Sequence, residues 1–173
     1  MSRYYAGVGS RRIPHHCISY VQTIATTAEE HGIWLRSGAA PGTDKMFESS
    51  IVNKSNSQIF LPWENFNGSD SPLFCNTPEL NSQADAIAER YHPAYNKLSR
   101  ESKLLMRRNT FQDLGWDLKS PSLFVACWTP DGAVVGGTAQ AIRIAKAYNI
   151  PVFNFGKNPD KVIKECIAFM SMC

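Results

Sequence analysis

Three short glycine-bearing segments of the sequence have the composition of phosphate-binding turns. They are Gly7-Val8-Gly9-Ser10, Ser37-Gly38-Ala39-Ala40-Pro41-Gly42-Thr43-Asp44 and Gly136-Gly137-Thr138. Each follows an apolar, strand-like run and precedes a helix-like run. The first turn of a helix offers unpaired backbone N–H groups and a partial positive charge, and glycine lets the backbone approach an anion closely. Together the three segments predict a binding site for the phosphate of a nucleotide or a nucleic acid.

Polar groups in and beside these segments are the candidate ligand-binding residues. Hydroxyl groups donate hydrogen bonds to phosphate oxygens, and a planar guanidinium can donate two at once. Thr129 joins the set because it directly follows a strand-like run. The candidates from the residues themselves are Gly7, Gly9, Ser10, Arg11, Ser37, Gly38, Ala39, Gly42, Thr43, Thr129, Gly136, Gly137 and Thr138.

Strand-like and helix-like runs alternate along the chain, which predicts an α/β fold. The predicted strands cover residues 3–7, 33–36, 58–61, 123–127 and 151–154. The predicted helices cover residues 14–31, 43–52, 79–90, 95–114, 138–148 and 159–170. Such alternation favours a doubly wound, mainly parallel sheet of about five strands with helices on both faces, a Rossmann-like arrangement. Ligands bind at the carboxyl ends of the strands in sheets of this kind, so we expect the three turns to converge on one crevice.

Length and composition are those of one globular domain. We expect a single domain over residues 1–173, with a loop and helical insertion at about 63–115. The net charge of +3 is compatible with an anionic partner but is too small to indicate nucleic acid by itself. Five cysteines without a C-x-x-C pair predict free thiols, and we expect neither a metal nor an organic cofactor. The sequence shows no signal segment and no membrane-length apolar run, so we expect a cytoplasmic protein.

Two common classes of nucleotide-binding protein do not fit the motifs. Gly7 and Gly9 begin a G-x-G-x-x-G pattern, but position 12 is arginine. The second predicted strand ends in Arg36-Ser37, where a dinucleotide-binding protein needs an acidic residue for the ribose. The sequence also contains no G-x-x-x-x-G-K-[ST] string, which excludes a P-loop nucleoside triphosphatase.

An ordered set of motifs resembles the superfamily that joins DNA-processing protein A (Smf/DprA) to the LOG, or lysine decarboxylase-like, phosphoribohydrolases. The resemblance to DNA-processing protein A lies in Gly9-Ser10-Arg11, in the string from Ser37 to Asp44, and in Arg107-Arg108-Asn109 before Gly115. It continues through a strand, a glycine turn and a helix into Ile150-Pro151-Val152-Phe153. The resemblance implies a nucleotide-binding crevice that contacts single-stranded DNA. It adds Arg107, Arg108 and Asn109 to the candidate ligand-binding residues.

The resemblance to LOG enzymes implies a different activity, cleavage of the N-glycosidic bond of a nucleoside monophosphate. Those enzymes use an Arg and a Glu beside a P-G-G-x-G-T-x-E-E turn, and the nearest string here is Val135-Gly136-Gly137-Thr138-Ala139-Gln140-Ala141. Gln140 and Ala141 stand where the acidic pair would be, and glutamine cannot act as a general base. A catalytic carboxylate would come from elsewhere in the sequence. The candidates are Asp44, Glu48 and Asp131.

Two hypotheses therefore remain open. In the first, the crevice binds a nucleotide, a nucleotide-derived small molecule or single-stranded DNA and turns nothing over; in the second, the protein is a nucleoside-monophosphate N-glycosidase. We expect the chain to form a homo-oligomer, and the spacing of Ile142, Ala145 and Tyr148 permits either a pairing face or packing on the sheet. The loop at 63–78 is long enough to act as a lid. The candidates for stacking on a base are Trp63, Tyr91, Tyr95 and Trp116, although such aromatics are more often packing residues.

Overall fold

A computed structural model describes residues 3–173 as five parallel strands with helices on both faces, which confirms the predicted α/β class. The sheet order is β3-β2-β1-β4-β5. The strands are β1 (Tyr4–Gly9), β2 (Trp34–Ser37), β3 (Gln58–Ile59), β4 (Val125–Trp128) and β5 (Val152–Asn154). Since β1 has β2 on one side and β4 on the other, the strand order reverses between β1 and β4. This switch point is where an open α/β sheet leaves a crevice at its carboxyl edge.

Six α-helices form the two outer layers. They are α1 (Ile18–Glu30), α2 (Thr43–Ser50), α3 (Pro78–Tyr91), α4 (Arg100–Leu114), α5 (Thr138–Ala147) and α6 (Pro159–Met172). The helices α1, α2 and α6 share one apolar core with the sheet, and α4 and α5 share another on the opposite face. The helix α3 lies against α4 and α5. The predicted helical insertion therefore supplies part of the second helical layer.

The central strands are apolar on both sides because each face of the sheet is covered. In β1, Tyr5 packs in the core of α1, α2 and α6, and its neighbour Ala6 packs in the core of α4 and α5. The same alternation places Phe124 and Val125 on opposite faces. Strands buried on both faces are expected to be continuous apolar runs, which is the pattern that made them recognisable in the sequence.

One predicted helix is wrong at its start. The sequence predicts a helix over 95–114, but the structure has a short 3-10 turn at Tyr95–Lys97, and α4 begins only at Arg100. Leu98 is extended, and the Ser99 hydroxyl accepts a hydrogen bond from the Ser102 N–H at 3.1 Å. Serine is a favoured N-cap, so this local capping stops the helix from extending further towards its N-terminus.

The segment 63–78 is attached to the second glycine turn. Phe66 is buried against Ala39 and Ala40, and the Asn67 amide donates to the Ala39 carbonyl at 2.8 Å. The Leu61 N–H donates to the Leu73 carbonyl at 2.9 Å, which ties the two ends of the segment together. The segment therefore buttresses the turn, and its role as a lid stays a prediction.

Two further expectations concern surfaces and thiols. Ile142 and Ala145 are buried between α5 and the sheet, whereas Tyr148 is 42% exposed, so the first two residues serve packing and the homo-oligomer stays a prediction. All five cysteines are free thiols, as the sequence predicts. Within residues 3–173, no helix combines the length and the apolar character that crossing a membrane requires.

Candidate functional site

A cavity of about 380 Å³ opens at the carboxyl ends of β1 and β4, at the switch point of the sheet; we call it the carboxyl-end cavity. Residues from all three glycine-bearing segments line it, and α4 closes one side. The sequence-predicted residues that line it are Gly9, Ser10, Arg11, Asp44, Arg108, Asn109, Gly136, Gly137 and Thr138. Segments more than a hundred residues apart in sequence thus meet in one place, because parallel strands present their carboxyl ends at the same edge.

The first two turns are joined directly to each other. The Thr43 hydroxyl and the Thr43 N–H both donate to the Ser10 carbonyl, at 2.8 and 3.2 Å. A Cβ at Gly9 would lie 2.6 Å from both the Thr43 hydroxyl oxygen and the Trp128 carbonyl oxygen. Gly42 has a φ of 85° and packs against the backbone of Arg11. Glycine is required at both positions because two backbone segments approach closely there.

Several predicted ligand-binding residues of the first two turns lie beneath the cavity. The fully buried Ser37 hydroxyl donates to the Gly7 carbonyl at 2.7 Å, and Gly7 leaves room for the Phe47 ring. Gly38 accepts a hydrogen bond from Arg108 through its carbonyl, and Ala39 is buried with a φ of 57°. These residues shape the turn and support the cavity without lining it.

The third turn presents the N-terminus of α5 to the cavity. Gly136 and Gly137 are exposed there, and nothing lies within 4 Å of where a Cβ would stand on either glycine. The Asn109 amide donates to the Gly137 carbonyl at 3.1 Å, so α4 fixes the position of this turn. The Ala139 and Gln140 N–H groups donate to the Gly136 and Gly137 carbonyls at 3.2 Å, which leaves the N–H and the hydroxyl of Thr138 as the donors that this turn offers to an anion.

A buried ion pair lies in the wall of the cavity. Arg108 is 7% exposed, donates through Nη1 to the Gly38 carbonyl and lies 3.8 Å from the Asp44 carboxylate. Burial raises the pKa of Asp44 to about 6, against the opposing effects of Arg108 and of backbone hydrogen bonds from Ala40 and Gly9. The Nε atom of Arg108 is buried without a partner among the described residues. The Arg108 side chain lines the cavity and brings a positive charge to its wall.

The sequence analysis missed other residues that line the cavity, above all Arg12 and Gln112. Gln112 is 1% exposed, and its amide nitrogen has no partner among residues 3–173. It follows Arg108 by four residues, so both side chains share one face of α4. That spacing is the signal that could have found Gln112. Of the charged side chains that line the cavity, Arg11, Arg12 and Arg108 are cationic and Asp44 is acidic.

Besides the residues of the first two turns that do not line the cavity, four other predicted residues lie outside it. Arg107 forms two hydrogen bonds with Asp85, at 2.6 and 2.7 Å, and the Thr129 hydroxyl accepts from the Asn154 amide at 2.7 Å. Glu48 pairs with Lys45 at 3.2 Å on α2, and Asp131 lies in an exposed turn. Among the three carboxylates proposed for catalysis, Asp44 alone lines the cavity.

Gln140, which follows the third glycine turn, has a packing role in this chain. Gln140 is fully buried, its amide nitrogen donates to the Ala88 carbonyl at 2.9 Å, and its oxygen accepts from Arg143 at 2.8 Å. The neighbouring Ala141 lines the cavity and brings no charge to it. The turn therefore keeps its anion-binding backbone and lacks a carboxylate.

Two solved structures of other proteins have a fold similar to that of this chain. No model of a known protein family and no curated sequence matches this chain. The structure is similar to that of DNA processing protein A from Helicobacter pylori, a protein that binds single-stranded DNA, with a TM-score of 0.60 and 17% identity. That similarity covers 99% of this chain and 80% of the Helicobacter chain. DNA processing protein A from Streptococcus pneumoniae aligns with a TM-score of 0.51 and 15% identity over 99% of this chain, which spans 56% of the pneumococcal one. At these identities the likeness concerns the fold.

Proposed function

We propose that this protein binds single-stranded DNA through its phosphate groups, with one nucleotide seated in the carboxyl-end cavity. The observation that carries the proposal is the meeting of three glycine-bearing turns and three guanidinium groups in one cavity at the switch point. The Helicobacter protein of similar fold binds single-stranded DNA. A free nucleotide or a nucleotide-derived small molecule carries the same phosphate chemistry and is the smaller form of the same ligand.

The residues divide the recognition of phosphate between backbone and side chains. Gly136 and Gly137 let a phosphate approach the N-terminus of α5, where N–H groups and the helix dipole favour negative charge. Arg11 and Arg12 are exposed at the mouth of the cavity and meet the DNA backbone first. Arg108 is buried deeper in the wall, so its positive charge acts on a phosphate that has entered the cavity.

Fluorescence anisotropy with a labelled oligothymidylate at two salt concentrations tests the proposal. The double variant Arg11→Gln/Arg12→Gln should weaken binding by about tenfold or more and reduce the dependence on salt by about two counterions. Lys161→Gln is the matched control, since that lysine is 75% exposed on α6 and its removal changes the net charge without touching the cavity. Absence of binding at low salt, or equal weakening by the control, would remove single-stranded DNA as the ligand.

Hydrolysis of a nucleoside monophosphate is the second candidate, and Asp44 is the observation that favours it. A carboxyl group with a pKa of about 6 inside the cavity is suited to proton transfer near neutral pH. In this reaction the C1′–N bond breaks and the departing base takes a proton from Asp44; the water oxygen bonds to C1′, and the proton that this water releases restores the Asp44 carboxyl group. The products are the free base and the sugar phosphate.

Incubation with a panel of ribo- and deoxynucleoside monophosphates, followed by chromatography for free base, decides between the two functions. Base release that disappears in Asp44→Asn and persists in Glu48→Gln supports hydrolysis, because Glu48 lies on the same helix outside the cavity. If no base is released from any nucleotide, the protein binds without turnover.

A further inference from the structure

A second cavity lies at the opposite edge of the sheet, and neither the motifs nor the proposed function uses it. It encloses about 650 Å³; we call it the amino-end cavity. Tyr4 and Gln58 line it from the amino ends of β1 and β3, and the loop after α4 contributes Trp116 and Lys119. The glycine turns and the N-terminus of α5 lie at the other end of the sheet, so this cavity needs a separate explanation.

A buried arginine forms part of its wall. Arg36 is 3% exposed, and its guanidinium lies over the Tyr4 ring with 4.4 Å between Cζ and the ring centroid. Its Nε donates to Gln58 at 2.9 Å, and its Nη1 donates to the Ser120 carbonyl at 2.6 Å and to the Ser122 hydroxyl at 3.2 Å. Burial lowers the pKa of Arg36 to about 10, so the group is charged at neutral pH.

The positive charge of Arg36 has no carboxylate partner within 4 Å among residues 3–173. The nearby Asp113 is fully buried with both carboxyl oxygens unpartnered, and burial raises its pKa well above the ordinary value, which favours the neutral acid. Arg3 and Lys119 add two more cations to the lining. Asp117 is the acid of the lining, and it is occupied by the Lys119 N–H at 2.9 Å and the Ser120 hydroxyl at 2.8 Å. The cavity therefore carries an excess of positive charge.

Apolar groups make up the rest of the wall. The Trp116 ring is fixed by stacking on Phe60, with centroids 5.6 Å apart. Tyr4, Leu80 and Leu123 line the cavity beside it. A rigid aromatic wall next to a cluster of cations is the arrangement that holds a flat ring carrying an anionic group.

We propose that the amino-end cavity is a binding site for a small molecule that joins a flat ring to an oxyanion. The oxyanion, a phosphate or a carboxylate, meets Arg3, Lys119 and the guanidinium of Arg36. The ring lies along Trp116 and Leu123. The two cavities share no lining residue, so binding at the amino-end cavity does not depend on DNA binding at the carboxyl-end cavity.

Fluorine NMR of protein labelled with 5-fluorotryptophan reads out this cavity directly. The chain has four tryptophans, and Trp116→Phe identifies the resonance of the one that lines the cavity. The probes are two matched pairs, adenosine 5′-monophosphate with adenosine and indole-3-acetate with indole-3-ethanol. We expect at least one anionic probe to shift the Trp116 resonance in a saturable manner, with an affinity about tenfold above that of its neutral twin. Binding of adenosine 5′-monophosphate identifies the oxyanion as a phosphate, and binding of indole-3-acetate identifies it as a carboxylate.

Variants distinguish binding at the amino-end cavity from binding elsewhere on the protein. The double variant Arg3→Gln/Lys119→Gln should lower the affinity for the anionic probe by about tenfold, since it removes two cations and leaves Arg36 in place. Arg11→Gln/Arg12→Gln should leave the Trp116 response unchanged. The proposal is overturned if no probe shifts Trp116, if the neutral twins bind equally well, or if the response disappears with the Arg11/Arg12 variant. An unchanged near-ultraviolet circular dichroism spectrum confirms that each variant is folded.

Discussion

The two ends of the sheet each contain a buried arginine near a buried aspartate, and the two pairs are built differently. At the carboxyl end, Arg108 lies 3.8 Å from Asp44, which lines the cavity, and Arg108 keeps an unpartnered Nε. At the amino end, Arg36 donates three hydrogen bonds to neutral groups, and Asp113 lies buried without a hydrogen bond. Burial is nearly the same for the two arginines, at 7% and 3% exposed.

The difference shows that burial alone does not identify the role of an arginine. Arg36 donates to Gln58 on β3 and to Ser120 and Ser122 in the segment after α4, so its first role is to fasten that segment to β2. Arg108 lies beside a titratable carboxyl group and lines a cavity, which is the environment expected of a group that contacts the ligand in the proposed function.

Removal of each arginine should affect stability with a different dependence on pH. Arg36→Met should lower the free energy of unfolding by about 3 kcal/mol at both about pH 5 and about pH 8, because it abandons the same neutral acceptors at either pH. Arg108→Met should destabilise more at pH 8 than at pH 5. Without Arg108, the raised pKa of Asp44 rises further above its unfolded value, so stability is lost as pH rises and the carboxyl ionises.

Urea denaturation of both variants and the unchanged chain at the two pH values measures this difference. Equal losses for Arg108→Met at both pH values would show that Asp44 is not coupled to Arg108.

The glycines of the carboxyl-end turns should differ in how much stability the protein loses when each is replaced by alanine. Gly9→Ala should lower the free energy of unfolding by about 2 kcal/mol, since its Cβ would overlap the Trp128 carbonyl oxygen and Thr43. Gly137→Ala is the matched control, because it has a helical φ of −63° and open space around it. We expect it to change stability by less than about 0.5 kcal/mol. Thermal denaturation checks both, and a tolerated Gly9→Ala would contradict the tight joining of the turns.

Binding of an oligonucleotide should depend on the protonation of Asp44. Since burial raises the pKa of Asp44 to about 6, the carboxyl becomes negative as pH rises through that value and then repels phosphate. Affinity for oligothymidylate should therefore be about three- to tenfold higher at about pH 5.5 than at about pH 7.5. Asp44→Asn should bind with similar affinity at both values. A pH dependence that persists in Asp44→Asn would assign the effect to another group.

Replacement of Arg107 should have the smallest effect, and it tests whether an arginine on α4 must line the cavity to contribute to DNA binding. It neighbours Arg108 on α4 but pairs with Asp85 away from the cavity. Arg107→Gln should lower the free energy of unfolding by about 1 kcal/mol or less, as partly exposed ion pairs contribute little. Its affinity for oligothymidylate should stay within about twofold of the unchanged chain. A large loss of affinity would show that charge on α4 matters more than access to the cavity.

Much of the fold was predictable because its signals are local. Apolar runs such as the one through Val125 mark strands that are buried on both faces, and glycine, proline and serine mark their ends. The start of α4 was mispredicted because a single serine N-cap competes with helical periodicity over the preceding residues. The approximate place of the site followed from the carboxyl-end rule for parallel sheets.

The sequence by itself determined the order of strands and helices, the positions of the three glycine-bearing turns and the lack of an acidic pair at the third turn. Only the tertiary structure decided which of two adjacent arginines reaches the carboxyl-end cavity, that Asp44 lines it while Glu48 and Asp131 do not, and that Gln112 completes it. It alone showed the amino-end cavity around Arg36. The physical reason is range: turns and periodicity depend on neighbours in sequence, whereas burial, charge pairing and cavities depend on neighbours in space.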